Sequence, residues 1–183
     1  QGKNMKIAEV ETIPLAIPFT HGGKPAGWGG KAWTSLSVLL VKVTTEEGVT
    51  GYGEAFSYNC LRSVQAALDD MVVPIIVNQE LDDIEIFLCE LQQKLHLFGR
   101  YGILMFALSG IDIALWDIAA KTVNMPLWQL LGERRQDRLP AYASLYRYGE
   151  PEIVAERCSQ AIGEGYESIK LHETEDREVA AAR

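Results

Sequence analysis

Two side chains near the end of the chain could carry acid–base chemistry. Lys170 and His172 lie two positions apart on a predicted strand, so both side chains project to the same face. An imidazole ordinarily titrates at roughly pH 6.5 and can therefore accept a proton under neutral conditions. A lysine beside a second potential cation is held partly deprotonated, because each charge disfavours the other. The pair is a candidate proton-transfer site, although a solvated strand end has the same spacing.

A glycine-rich segment, residues 21–30, separates the first two predicted strands. It is not a phosphate-binding loop, because no Gly-Lys-Ser/Thr motif follows and no helix begins after it. It carries polar side chains at His21 and Lys24, and Trp28 together with Trp33 could cover an apolar ligand. An ordinary surface loop has the same composition, so the residues alone leave both interpretations open.

The composition restricts the classes of function. The 183 residues carry a formal net charge of -8 and no cluster of lysine and arginine, which argues against nucleic-acid binding. Apolar runs such as Ile103–Leu108 are too short to cross a bilayer, so no membrane partner is expected. The three cysteines, Cys60, Cys89 and Cys158, are widely spaced and indicate neither a disulfide framework nor a metal site. A reducing cytoplasm is therefore the expected location.

The first two thirds of the chain predict a small sheet covered by helices. Three strands are expected at Met5–Pro18, Thr34–Thr44 and Val49–Ala55, which form a three-stranded antiparallel meander. In the second strand, apolar side chains at Leu36, Val38 and Leu40 alternate with Ser35, Ser37 and Leu39. Three helices should follow, with their bounds set by apolar spacing and by end signals.

The first of these helices spans Leu61–Ile76, and Pro74 should kink or end it. The second begins with Asp82 as N-cap and Glu85 three residues later, the pattern of a capping box. The third, about Tyr101–Thr122, is apolar nearly all round and should be buried on most sides.

The pattern then changes to a strand, a crossover helix and a second strand. These elements are expected at Leu139–Leu145, Pro151–Gly163 and Glu167–Leu171, which is the β-α-β unit of a parallel sheet. The change of pattern predicts two domains, residues 5–132 and 138–183, with their boundary near Gly132–Arg138.

Three motifs resemble one known family. The run Ala107–Lys121, the following Met125–Gly132 and the turn Gly51–Ala55 are similar to the mandelate racemase/muconate lactonizing branch of the enolase superfamily. The resemblance implies an α+β capping domain, made of the meander and the helices, followed by the first β-α-β of a modified TIM (β/α) barrel. Capping-domain loops usually close over the substrate in this family, here about Thr20–Trp33 and Phe56–Cys60.

The resemblance also implies roles for individual residues. The family's Lys-x-Lys motif, whose second lysine abstracts a proton beside a carboxylate, aligns with Lys170 and His172. His172 departs from the motif, and it is either the base or has another task. The implied substrate-binding residues lie on the loops and on the first barrel strand: His21, Lys24, Trp28, Trp33, Phe56, Tyr58 and Ser144.

The implied reaction is Mg²⁺-dependent abstraction of an α-proton from a small carboxylate, giving racemisation, epimerisation or dehydration. The acidic metal ligands are expected downstream of Arg183, so none is assigned within the chain. A full barrel takes about 250 residues, and the chain alone is therefore expected to be inactive. The partners expected are a second copy of the chain or the remaining barrel portion. The alternative is a non-catalytic fragment, either a binding or assembly module or a remnant.

Overall fold

The structure is a computed structural model that describes residues 5–22, 33–173 and 176–182. The chain divides into two compact units. The first consists of Gln1–Ile17 with Leu36–Arg134, and the second of Pro18–Ser35 with Arg135–Arg183. The division falls within the predicted boundary region, but it places residues 18–35 with the second unit. The predicted domain bounds themselves stay a prediction.

The sheet of the first unit has the strand order β3-β2-β1-β4. Its strands are β1 (Met5–Pro18), β2 (Ser35–Thr45), β3 (Thr50–Ala55) and β4 (Glu80–Leu81). Strands β2 and β3 pair antiparallel, and so do β1 and β4. The predicted meander is therefore confirmed. The two-residue β4, which adds a fourth strand beside β1, is too short to leave a sequence pattern.

The alternation of the first residues of β2 predicts the wrong buried face. Leu39, Val41 and Val43 are fully buried, whereas Leu36 is 43% exposed. From Val38 to Val43 the strand is apolar at every position except Lys42, so alternation cannot decide which face turns inward. The helices that pack on the sheet decide it.

The helices of the first unit follow the sheet in the chain. They are α1 (Leu61–Ala67), a π-helical turn (Leu68–Val72), α2 (Val73–Ile76), α3 (Ile84–Lys94), a 3-10 turn (His96–Phe98), α4 (Ile103–Thr122) and α5 (Leu127–Leu131). The first three are continuous and together cover the predicted Leu61–Ile76 helix. Pro74 lies in the first turn of α2 directly after the π-helical turn, so its missing N–H falls where the regular α-helical hydrogen-bond pattern is already interrupted.

The predicted N-cap of α3 was wrong by one residue. The cap is Asp83, whose side chain accepts a hydrogen bond of 2.9 Å from the backbone N–H of Ile86. Because the residue three positions after Asp83 is Ile86, no reciprocal capping box forms. Asp82 had the sequence spacing of a cap, but Asp83 has the extended backbone that a cap requires.

Helix α4 forms the core of the first unit. Its buried residues face β3 and the neighbouring helices: Leu104, Ala107, Leu108, Gly110, Ile111, Ala114, Leu115, Ile118 and Ala120. The prediction that α4 is buried on most sides overstates its burial, because Ile113 is 46% exposed. The helix is also long and apolar enough to cross a membrane by length and composition. Half of that stretch is buried in the protein.

The second unit contains the predicted β-α-β arrangement. Its elements are β5 (Ala143–Ser144), α6 (Pro151–Gly163), β6 (Ile169–Lys170) and α7 (Asp176–Ala181). Strands β5 and β6 pair in parallel, and both are shorter than expected. Tyr148, Val154 and Cys158 form the buried core of this unit, and burial raises the pKa of the Cys158 thiol.

Candidate functional site

Ser144 and Lys170 lie side by side at the ends of two parallel strands. They are register partners across β5 and β6, so their side chains share one face of this two-stranded sheet. Both residues are exposed. The structure therefore brings a hydroxyl and an ammonium group together, at the strand ends where barrel enzymes carry their active sites.

His172 follows β6 and lies outside the strand in which it was predicted. Its Nδ1 is 2.7 Å from the backbone oxygen of Leu145, which follows β5. A carbonyl oxygen only accepts hydrogen bonds, so Nδ1 carries the proton in this contact. In the neutral ring Nε2 is then left as the proton acceptor. The side chain is exposed, and this nitrogen could meet a ligand.

Glu173 is a site residue that the sequence did not reveal. One carboxylate oxygen accepts a hydrogen bond of 2.6 Å from the backbone N–H of Tyr148, and the other accepts one of 3.2 Å from that of Gly149. Gly149 has a φ of 75°, which lets two successive N–H groups converge on one anion. Residues 172 and 173 thus both hold the segment that follows β5.

An aromatic cluster surrounds Tyr146, which is not among the predicted binding residues. The ring of His21 stacks on that of Tyr146 with centroids 3.8 Å apart, and the ring of Trp33 lies 5.6 Å away. Phe19 contacts Trp33 edge-to-face at 5.1 Å. Two predicted binding residues therefore meet in the second unit, whereas Lys24 and Trp28 lie outside the described residues. Tyr146 follows Ser144 by two positions, a spacing that could have indicated it.

Phe56 and Tyr58, the other predicted binding residues, belong to the first unit. They are 52% and 44% exposed, and the ring of Phe56 packs edge-to-face against Phe106 at 4.8 Å. Ser57, between them, is buried and donates a hydrogen bond to the carbonyl oxygen of Ser37. The role of these aromatic residues in substrate binding stays a prediction.

One pocket of the second unit has the predicted binding residue His21 in its lining, but neither Lys170 nor His172. It measures about 470 Å³ and is lined by Ala143 and Leu145 of β5 and by Arg157 of α6. Because side chains alternate along a strand, Ala143 and Leu145 face away from Ser144. The pocket volume therefore does not indicate the site of chemistry. Arg157 Nε is buried there without a hydrogen-bond partner among the described residues.

The described residues show no metal centre of their own. Across residues 5–22, 33–173 and 176–182, no group of three or more histidine, cysteine, aspartate or glutamate side chains could hold an ion. The residues present therefore do not fit a magnesium site by themselves. The expectation that the ligands lie downstream stays a prediction.

Residues 24–132 match the family described as mandelate racemase / muconate lactonizing enzyme, N-terminal domain. The chain belongs to this family. Within the family, the arabinonate dehydratase of Saccharolobus solfataricus is 28% identical over 169 residues, which are 90% of the chain and 45% of that enzyme. The D-galactonate dehydratase of Klebsiella pneumoniae is 34% identical over 137 residues, 73% of the chain and 34% of that enzyme. The chain thus spans less than half the length of these relatives.

Solved structures of this superfamily share the fold. An enolase-superfamily member from Polaromonas sp. JS666 is 29% identical with a TM-score of 0.79, over 98% of the chain and 48% of the neighbour. A mandelate racemase/muconate lactonizing protein from Paracoccus denitrificans, solved with magnesium, is 26% identical with a TM-score of 0.67, over 87% of the chain and 39% of the neighbour. The capping-domain fold expected from the motifs is confirmed.

Proposed function

We propose that the protein containing this chain abstracts the α-proton of a small carboxylate, as an acid-sugar dehydratase or a racemase or epimerase. The observation that carries the proposal is the arrangement at the ends of β5 and β6. There Ser144 and Lys170 share one face of the two-stranded sheet, and the Nδ1–H of His172 donates a hydrogen bond to the carbonyl oxygen of Leu145. The acid-sugar dehydratases among the relatives support the substrate class.

In this proposal His172 is the base. Its Nε2 takes the proton from the carbon next to the substrate carboxylate, and the Nδ1 hydrogen bond keeps the accepting nitrogen in one orientation. The same bond donates from the ring in both protonation states, so it persists after proton transfer and supports the resulting imidazolium. The orientation of the His172 ring comes from its hydrogen bond to Leu145, which follows β5, and not from the strand register.

Lys170 and Ser144 would bind and orient the substrate carboxylate. The ammonium group attracts the anion, and the hydroxyl can donate one hydrogen bond to it. Proton removal places more negative charge on the carboxylate, so a cation at this position favours the transition state over the ground state. His21 and Trp33, arranged around Tyr146, would close the site on one side.

Magnesium is part of the proposal for the complete protein. A superfamily neighbour was solved with the ion, which when bound would stabilise negative charge on the carboxylate. Its ligands would come from the part of the relatives that the chain does not span. We therefore expect the 183-residue chain alone to be inactive, and we expect the complete protein to be a cytoplasmic homo-oligomer.

The test is deuterium exchange at the α-carbon of aldonic acids, followed by proton NMR with the full-length protein in D₂O and Mg²⁺. Exchange should occur with at least one acid and should fall by about a hundredfold or more in His172→Ala, the usual size for loss of a general base. His96→Ala is the matched control, because His96 Nδ1 also contacts a backbone oxygen, that of Gln93, at 2.8 Å.

The opposite results would reject the proposal. Unchanged exchange in His172→Ala would remove His172 from the base role. No exchange of any α-proton with the full-length protein would favour the alternative, a non-catalytic binding or assembly module.

A further inference from the structure

The segment between β5 and α6 presents two neighbouring backbone N–H groups to one carboxylate. The N–H of Tyr148 and the N–H of Gly149 each reach a different oxygen of Glu173, at 2.6 and 3.2 Å. Tyr148 is 7% exposed and both hydrogen bonds are partly buried, so water competes for these N–H groups less than at an open surface. Hydrogen bonds to an ionised acceptor are also stronger than neutral ones. Glu173 is therefore the anion that orders the irregular segment of residues 145–149, named the turn after the φ of 75° at Gly149.

The ordered turn begins at the residue that orients His172. The backbone oxygen of Leu145 accepts a hydrogen bond from the Nδ1–H of His172, and the N–H of Leu145 donates to the backbone oxygen of Lys170 at 3.0 Å. Leu145 is thus fixed on one side by β6, and on the other side by the turn that Glu173 holds. A carbonyl oxygen that rotates away from His172 would release the ring to exchange tautomers.

We propose that Glu173 is a positioning residue that keeps His172 in its Nδ1–H tautomer by holding the turn at Tyr148 and Gly149. The catalytic consequence of this inference rests on the proposed function, because a free Nε2 affects the reaction only if His172 is the base. The structural part, the link from the Glu173 carboxylate to the His172 ring, stands separately and is measured separately.

A neutral amide cannot replace the carboxylate here. In Glu173→Gln the amide oxygen can still accept a hydrogen bond from one backbone N–H. The amide NH₂ group would face the other backbone N–H, and because both are donors no hydrogen bond forms there. At least one of the two backbone groups then loses its acceptor, and the turn loosens with its overall shape preserved. Glu156, an exposed residue of α6, provides the control substitution Glu156→Gln.

The experiment is long-range ¹H–¹⁵N NMR of histidine-labelled chain, which reports the tautomer of each of the three histidines. Wild-type His172 should be mainly Nδ1–H. In Glu173→Gln that population should fall by about twofold or more, the size expected when one orienting hydrogen bond becomes intermittent. His96 serves as an internal control, because the Gln93 oxygen selects the same tautomer there. Glu156→Gln should leave both rings unchanged.

Three outcomes would overturn the inference. They are a wild-type His172 in the Nε2–H form, a His172 unaffected by Glu173→Gln, and an equal shift of His96 in that variant. If Glu173→Gln does not fold, amide exchange of the wild-type chain decides. Protected Tyr148 and Gly149 N–H groups support the inference, and rapid exchange of both refutes it.

A separate assay distinguishes this inference from the proposed function. In the full-length protein, Glu173→Gln should lower kcat for α-proton exchange at least in proportion to the lost Nδ1–H population. A tautomer shift combined with full exchange activity in His172→Ala would refute the base role and leave the positioning role intact.

Discussion

The backbone N–H of Tyr52 donates a hydrogen bond of 2.9 Å to the Asp117 carboxylate. Tyr52 lies on β3, an edge strand, and this N–H belongs to the edge that would otherwise be open. One helical turn later Lys121 donates to the backbone oxygen of Thr50 at 2.9 Å, and it also pairs with Asp117 at 2.7 Å. Helix α4 therefore closes the edge of the sheet with side chains, which gives the family run Ala107–Lys121 a structural reason.

Asp117→Ala should destabilise the first unit by about 1–2 kcal/mol, because it removes the acceptor of Tyr52 and the partner of Lys121. Asp117→Asn should cost less, since its side-chain oxygen can still accept from Tyr52. Urea unfolding monitored by tryptophan fluorescence would measure both. Asp70→Ala, at an exposed aspartate, is the control, and an equal loss there would contradict the explanation.

The segment Gly51–Ala55, which the sequence predicts as a turn, lies in strand β3, and its glycines are required by the close approach of α4. A Cβ on Gly53 would lie 2.0 Å from the backbone oxygen of Gly110 and 2.9 Å from the nitrogen of Ala114. No side-chain rotation can relieve contacts with helix backbone. The Gly51–Ala55 motif on β3 and the Ala107–Lys121 run on α4 are therefore two sides of one contact.

Gly53→Ala should cost about 3 kcal/mol or more, at or beyond the upper end of ordinary overpacking, because the helix must move away from the strand. Gly163→Ala is the matched control. No atom lies within 4 Å of a Cβ there, and the residue closes α6, so we expect a change between zero and about 1 kcal/mol in the stabilising direction. Equal unfolding midpoints for the two variants would show that the strand–helix contact is not tight.

The sequence predicts those parts of the fold that local signals determine. Helix α6 has the predicted bounds, Pro151–Gly163, because a proline at its first turn and a regular apolar spacing define it. The meander and α4 follow from long apolar patterns in the same way. The pairing of Ser144 with Lys170 follows from the parallel order of the strands.

Contacts between distant segments could not be predicted. Glu173 reaches residues 24 and 25 positions earlier in the chain, and no local pattern marks it as an acceptor for a turn. Tyr146 meets His21 only because the folded chain brings the two segments together. The candidate base was thus recognisable from its residue type, whereas the contacts that orient it required the structure.

The partly buried carboxyl of Asp112 makes stability depend on pH. Burial raises its pKa above the ordinary value, and a hydrogen bond from Trp116 partly offsets the effect. The unfolded chain therefore loses this proton at a lower pH than the folded protein does. As pH rises from about 4 to the higher folded-state pKa, the unfolded state binds fewer protons and stability falls.

Asp112→Asn keeps an oxygen for Trp116 and does not titrate. Relative to wild type, the variant should therefore gain stability as pH rises through this window, and the gain should level off above it. Unfolding free energies at a series of pH values would show the trend, with Asp70→Asn as the exposed control. A difference between variant and wild type that is constant with pH would contradict the assignment.

The N-cap of α3 can be assigned by substitution. Asp83→Ala should destabilise the protein by about 0.5–2 kcal/mol, since the Ile86 N–H loses its acceptor at the start of the helix. Asp82→Ala, one residue earlier, should change stability by less than about 0.5 kcal/mol. Thermal unfolding of the two variants would decide between them, and a larger loss for Asp82→Ala would restore the capping box that the sequence indicated.

The Tyr146 cluster should contribute to substrate binding more than to proton transfer. Tyr146→Ala removes the ring that stacks on His21, an interaction worth about 0.5–1.5 kcal/mol, so KM of the full-length protein should rise by roughly two- to tenfold. Tyr146→Phe keeps the ring and should retain most of the affinity. Tyr142→Ala, at a residue 55% exposed just before β5, is the control.

The His172 tautomer distinguishes two explanations of such a KM effect, in which Tyr146 either contacts the substrate or helps to fix the turn. If Tyr146 acts only as an aromatic wall, Tyr146→Ala leaves His172 in the Nδ1–H form, because Leu145 and the turn held by Glu173 are unchanged. Steady-state kinetics and the NMR tautomer measurement on the same variant provide both values. An unchanged KM would remove the cluster from the substrate site. A lost Nδ1–H form would mean that Tyr146 helps to fix the turn, and Glu173 would then be only one of its supports.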